Sequence, residues 1–121
     1  MPLSTSTRVV NNDPGSVTVV VAETTGGGGN SATLDIYVMI DTNTAVFGNG
    51  HTPAGFRPNA PVDVVSWKNQ TVNPGQTKEY TAAIAKPRAS EASSTTVQCL
   101  VTGVYGGADY NETREAVIVW P

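Results

Sequence analysis

Residues 33–41, TLDIYVMID, decide the fold of this chain. Four aliphatic residues occupy every second position of the segment: Leu34, Ile36, Val38 and Ile40. The residues between them are Asp35, Tyr37, Met39 and Asp41. Because successive side chains of a β-strand point to opposite faces, this period of two predicts a strand with one buried face.

Segments with similar β-branched and apolar content lie on both sides of it. They cover residues 16–23, 62–67, 78–85, 95–105 and 110–120, with a short continuation or edge strand at 44–47. Turn-forming residues separate them, including Asn73-Pro74-Gly75 and Gly106-Gly107. The segment 95–105 is apolar at neighbouring positions, which predicts a central strand covered on both faces. About seven short strands without a helical period predict an antiparallel β-sandwich.

Two stretches resemble parts of a known family of modules. Residues 72–84, VNPGQTKEYTAAI, carry a Pro-Gly turn that leads into a strand with an aromatic residue. This stretch resembles the corresponding segment of immunoglobulin-like and fibronectin type III-like modules, and residues 95–105 with 110–120 look like their closing hairpin. The paired cysteines of antibody domains are absent. The resemblance implies a sandwich used for adhesion, for spacing, and for decorating bacteriophage shells and tails.

Length and charge restrict the classes of protein. A chain of 121 residues predicts one domain over 1–121. The net charge of -3 provides no basic surface, so we expect no nucleic-acid partner. No apolar run reaches the roughly 20 residues of a membrane span. Residues 1–10, MPLSTSTRVV, lack a basic segment followed by an apolar one, so we also expect no signal peptide.

The residues that carry most enzyme chemistry are scarce. His51 is the single histidine and Cys99 the single cysteine, and no cationic residue that would activate the thiol lies near Cys99 in the sequence. We therefore expect a buried thiol at Cys99, no enzymatic activity and no cofactor. Two carboxylate pairs, Asp35 with Asp41 and Asp109 with Glu112, leave a Ca²⁺ site open as an alternative, although solvated turn acids explain them more simply.

Two segments are candidates for contact with partners. The long loop 48–61 contains His51, Phe56 and Arg57 among Gly and Pro residues, and aromatic residues and Arg are enriched in protein interfaces. Residues 1–12 are mostly polar and contain Val9 and Val10 near their end. This segment is either an arm that pairs with a neighbour's sheet edge or an ordinary first strand.

These observations predict a non-enzymatic structural protein that docks onto a larger assembly. The specific hypothesis is a bacteriophage virion protein, assembled in the host cytoplasm, that decorates or cements the capsid or belongs to the tail. Its partners would be capsid or tail proteins, and the protein itself would be a homo-oligomer or bound to the capsid lattice. The alternative is a carbohydrate-binding or adhesive module. The candidate stacking platforms of that alternative are Tyr37, Trp67, Tyr105, Tyr110 and Trp120.

Overall fold

The computed structural model describes residues 2–25, 29–48, 62–88 and 90–121. The strands in these ranges are β1 (Leu3–Val10), β2 (Gly15–Glu23), β3 (Ala32–Asp41), β4 (Val46–Phe47), β5 (Val62–Val72), β6 (Thr77–Ala85), β7 (Ser94–Tyr105) and β8 (Ala108–Val119). Most of the loop that the sequence places at 48–61 lies outside the described residues. Within them, no helix has the length and apolar character needed to cross a bilayer.

The described strands form two four-stranded antiparallel sheets. One sheet has the order β1-β2-β6-β4 and the other has the order β5-β3-β7-β8. We call them the β1 sheet and the β5 sheet. The predicted antiparallel sandwich is therefore confirmed. The described ranges hold eight strands instead of about seven.

The hydrophobic core lies between the two sheets. Leu34, Ile36, Val38 and Ile40 of β3 are at most 2% exposed, as their period of two predicts. They pack against the inward residues of the other sheet, including Val17, Val19, Val21, Ala82 and Ile84. Burying one such aliphatic side chain contributes about 1.5–3 kcal/mol, so the inner faces hold the sheets together.

The prediction that β7 is covered on both faces is wrong. This strand does lie between β3 and β8, but burial alternates along it. Val97, Cys99 and Val101 are buried, whereas Leu100 is half-buried and Val104 is 47% exposed. The apolar run arises because β7 also carries aliphatic residues on its outer face, over which the described part of the chain places no second layer.

The predicted turn between β7 and β8 is confirmed. Tyr105 pairs with Ala108, so Gly106 and Gly107 form a two-residue loop. Their φ angles are 59° and 80°, the left-handed conformation that a type I′ hairpin turn requires at both positions. Glycine adopts it without the steric cost that a Cβ would add.

Cys99 is a buried hydrophobic residue, as predicted. It is 1% exposed in the core, and burial raises the pKa of its thiol to about 11. The thiolate that would act as a nucleophile is therefore strongly disfavoured at neutral pH.

Candidate docking surface

The outer face of the β5 sheet carries a row of large side chains. On β3, Tyr37 and Met39 alternate with core residues and therefore point away from the core. Tyr37 lies opposite Leu100 of β7, and Met39 lies between Val64 of β5 and Gln98 of β7. Each of Tyr37, Met39 and Leu100 is half-buried. Three neighbouring strands thus combine single half-buried apolar residues into one continuous surface.

A shallow groove of about 420 Å³ lies at one end of this surface. We call it the outer groove. Its described lining residues are Met39, Ile40, Asp41, Val62, Thr96 and Gln98. Met39 and Val62 provide apolar contact area, and exposed Asp41, Thr96 and Gln98 supply polar groups at the surface. An apolar centre with a polar periphery is the usual composition of a protein-binding surface.

Charged and polar groups near the outer groove have local partners. Lys68 Nζ lies 5.6 Å from the centroid of the Tyr37 ring, a cation–π distance. An Asp41 carboxylate oxygen accepts a hydrogen bond of 2.8 Å from the backbone N–H of Asn43, and Asp35 accepts one of 2.9 Å from that of Asn69. Asp41 thus borders the groove, whereas Lys68 and Asp35 lie toward the other end of β3 on the same outer face.

The carboxylate pairs considered for Ca²⁺ are engaged separately. Asp35 and Asp41 each accept a backbone hydrogen bond at opposite ends of β3. Glu112 lies 2.8 Å from the guanidinium of Arg114. Across 2–25, 29–48, 62–88 and 90–121, no three His, Cys, Asp or Glu side chains are arranged to hold a metal ion.

The predicted contact residues are described only in part. His51, Phe56 and Arg57 lie outside the described residues. Val9 and Val10 are at the end of β1, which pairs along its whole length with β2 of the same chain. Val9 is half-buried against the core, whereas Val10 is 53% exposed on the outer face of the β1 sheet.

Most aromatic residues considered as sugar platforms have structural roles. Tyr110 and Trp120 are 3% and 6% exposed in the core. Trp67 packs against the core, with its ring 5.6 Å from that of Tyr80, and the Tyr105 hydroxyl donates to the carboxylate of Glu23. Of the five candidates, Tyr37 remains on the outer face of the sheet.

Glu23 is a buried carboxylate that the sequence analysis did not single out. It is 1% exposed at the end of β2 and accepts hydrogen bonds of 2.5 Å from the N–H and the hydroxyl of Thr25, besides the one from Tyr105. The bonds from Thr25 and then from Tyr105 lower the pKa of the carboxyl, against the effect of burial. Glu23 thus fixes the chain at the end of β2 to the end of β7.

The outer groove itself was also missed by the sequence analysis. The signal was present in residues 33–41, where Tyr37 and Met39 stand on the face opposite the aliphatic residues. Tyr and Met are both enriched in protein interfaces, so two of them on one outer strand face suit a contact surface. Their alignment with Leu100 depends on the pairing of β3 with β7, and the periodicity of one segment does not predict which strands pair.

Comparison with known proteins places the fold but not a family. No family model matches the chain, and no curated protein matches its sequence. Among solved structures, a cohesin module from a family 33 glycoside hydrolase of Clostridium perfringens is similar. It has a TM-score of 0.59 and 8% identity, and the match covers 98% of this chain and 96% of that one. An uncharacterised immunoglobulin-like protein from Nocardia farcinica is similar with a TM-score of 0.50 and 14% identity, over 98% and 96% of the two chains. The chain thus has an immunoglobulin-like β-sandwich fold.

Proposed function

We propose that this domain is a non-enzymatic docking module that binds a protein partner within a larger assembly through the outer groove. The observation that carries the proposal is that Met39, which lines the groove, is aligned with Tyr37 and Leu100 on the same outer sheet face. In the described ranges no further sheet covers this face, and the Lys68 side chain lies over the Tyr37 ring. Surfaces of this kind gain about 25 cal/mol for each Å² of apolar area that a partner removes from water.

The chemistry of the outer groove favours binding over catalysis. Its described lining has carboxylate, amide and hydroxyl groups but no nucleophile paired with a base. Acyl or phosphoryl transfer requires a nucleophile, a base and an orienting group together. Tyr37 and Met39 instead offer contact area with few polar atoms to desolvate, which is the property that binding needs.

The finer proposal is that the assembly is a bacteriophage virion, in which the domain decorates or cements the capsid or belongs to the tail. A sandwich without a disulfide, with 14% charged residues and many Thr, Ser and Asn residues, suits a small subunit that attaches to a preformed protein lattice. Purified domain mixed with the particles of its source should bind to saturation at a fixed number of copies per particle. Absence of binding to every such particle would reject the virion proposal and leave the docking proposal standing.

The outer groove is tested by one pair of variants. Met39→Lys places a charge in the groove, whereas Val104→Lys places the same charge on the same outer face, near the far end of β7. Both residues are at least partly exposed, so both variants should fold. Used as bait, the wild type and Val104→Lys should retain a partner that Met39→Lys loses. Equal retention by all three proteins would move the binding site elsewhere.

A carbohydrate ligand is the second candidate, favoured by Tyr37 next to Lys68 and the polar groups of the outer groove. An aromatic ring on an open face provides a stacking surface for a sugar. A glycan array should then show hits that Tyr37→Ala removes and Tyr37→Phe keeps. An array without hits would reject this candidate.

A further inference from the structure

Exposed strand edges differ in how they are protected against pairing with another chain. Proteins protect edges by keeping them short, by bulges, or by charged side chains that cover the backbone groups. Among the described strands, β4 is an edge of two residues. The edge strand β5 has a register shift opposite Leu34 and Ile36, and its Asn69 has a φ of 56°. Both edges are therefore poor templates for a further strand.

The edge of β8 is covered by side chains. Trp120 N–H bonds to Ser93, and Val119 N–H, which faces the other way, donates to the side chain of Asn11. Because backbone groups alternate in direction along a strand, the odd-numbered residues of β8 face the edge. The guanidinium of Arg114 covers the carbonyl of one of them, Thr113, at 2.9 Å. The edge of β8 is thus capped in its middle and at its end.

The edge of β1 has no bulge and no capping side chain, and its neighbour across the sandwich is β8, to which it is joined by the Thr5–Tyr110 hydrogen bond. Pro2 accepts from Thr24 N–H, so the even-numbered residues of β1 face β2 and the odd-numbered residues face the edge. The register with β2 is continuous and the strand contains no proline. Its one charged residue, Arg8, bonds to Glu79 of the same sheet at 2.6 Å. In the described part of the chain, no hydrogen bond reaches the edge-facing backbone groups of β1.

The sequence of β1 is complementary to itself when it runs antiparallel. With Ser6 opposite Ser6 of a second copy, Leu3 lies opposite Val9 and Thr5 opposite Thr7. Arg8 then lies opposite Ser4, so this register places no like charges together. Each pair of edge-facing residues exchanges both backbone hydrogen bonds in such a ladder, and Thr–Thr pairs are favourable.

We infer that β1 is a homodimerisation edge, at which two copies of this chain pair antiparallel about a two-fold axis beside Ser6. The dimer joins the two β1 sheets into one continuous sheet with the order β4-β6-β2-β1-β1-β2-β6-β4. An isologous contact of this kind uses the same patch on both copies. The occupant is a second copy because the complementarity lies within β1 itself.

A cysteine pair tests the register. Ser6 and Ser4 are both exposed and both point to the outer face of the β1 sheet. In the dimer, Ser6 forms a pair without hydrogen bonds, whose Cα atoms lie about 4.5 Å apart, within the range of a disulfide. Ser6→Cys should therefore form a covalent dimer under mild oxidation, whereas Ser4→Cys, opposite Arg8, should not. The native Cys99 is buried and does not interfere. Equal cross-linking of both variants would overturn the proposed register.

Proline variants test the edge itself. Thr7→Pro removes an N–H that faces the edge and leaves the bonds to β2 in place, and Thr113→Pro makes the same change on the capped edge of β8. Sedimentation should give the wild type and Thr113→Pro twice the 12.6 kDa of the chain, and Thr7→Pro the single mass. A monomeric wild type would overturn the inference.

An exposed variant keeps the test valid if Thr7→Pro does not fold. Ser4→Glu places an acid opposite Arg8 of the second copy and should tighten the dimer, whereas Ser4→Lys should weaken it. Identical dissociation constants for the two would count against pairing at β1. The inference does not rest on the proposed function, because β1 and the outer groove belong to different sheets. Met39→Lys should lose the partner and keep the dimer mass. Thr7→Pro should lose the dimer and keep the partner.

Discussion

The two faces of β3 share one backbone and have opposite roles. Leu34, Ile36 and Val38 point into the core and are at most 1% exposed, whereas Tyr37 and Met39, which alternate with them, point to the outer face and stay half-buried. The inner residues are surrounded by side chains of the same chain, so a change in their side-chain volume lowers the free energy of unfolding. The outer residues have open space beside them. Their size is therefore not required by core packing, and the proposed function assigns it to contact with a partner.

The largest expected effect comes from truncating the inner face. Ile36→Ala should lower the free energy of unfolding by about 2–5 kcal/mol, because it removes buried methyl groups and leaves a cavity between the sheets. Met39→Ala on the outer face should change it by less than about 1 kcal/mol. Urea unfolding followed by circular dichroism measures both.

The matched pair Ile36→Ala and Met39→Ala also decides whether the two faces differ. If Met39→Ala costs as much as Ile36→Ala, the outer face is buried in the isolated domain and the outer groove is not a free surface. A small cost for Met39→Ala together with loss of the partner would separate stability from binding on a single strand.

The comparison of the faces also shows how far sequence reasoning reaches. Burial of Ile36 follows from a period of two, which depends on residues within one strand, so the sandwich was predictable. The outer groove was not, because Met39, Val64 and Gln98 become neighbours through the pairing of β3 with two other strands. For the same reason Leu100 was assigned to a covered face: its composition fits burial, and only the sheet order shows that the face is open.

Glu23 illustrates a second limit of sequence reasoning. A single acid after a β-branched run gives no indication of burial, since its partner Tyr105 lies 82 positions away in the sequence. The turns were easier, because Gly106 and Gly107 act through their own backbone angles. Local backbone chemistry can thus be read from the sequence, whereas a hydrogen bond between distant strands cannot.

An intermediate effect is expected from two tyrosines within the interior. The hydroxyl of Tyr110 forms a 2.8 Å hydrogen bond with that of Thr5, which joins the two sheets, whereas the buried hydroxyl of Tyr80 has no partner in the described part of the chain. Tyr110→Phe should cost about 1–3 kcal/mol because it leaves the buried Thr5 hydroxyl unpaired, and Tyr80→Phe should be neutral or stabilising.

Thermal and urea unfolding of the two Phe variants measure this difference. The substitutions are chemically identical, so changes in ring packing cancel to first order. Double substitution of Thr5→Val with Tyr110→Phe should recover part of the loss, since no unpaired group remains. An equal cost for Tyr80→Phe and Tyr110→Phe would mean that the Thr5 bond does not contribute to stability.

The smallest expected effect lies at the end of the sandwich, where the interior meets water, and it is lost in acid. Hydrogen bonds from Thr25 and Tyr105 lower the pKa of the Glu23 carboxyl in the folded state. The unfolded value is about 4.3. A group with a lowered folded pKa binds fewer protons when folded, so its stabilisation is fully present above about pH 4.3 and is lost as the pH falls through the folded value.

Melting temperatures of the wild type and Glu23→Gln between neutral pH and strong acid measure this contribution. The wild type should be the more stable protein by a constant margin down to the unfolded pKa, and the margin should shrink below it. Glu115→Gln, the same substitution at an exposed position of β8, serves as the matched control. If the margin for Glu23→Gln stays constant into strong acid, the stabilisation comes from the shape of the side chain and not from its charge. Glu23 would then stabilise the fold by packing, as the core-facing residues of β3 do.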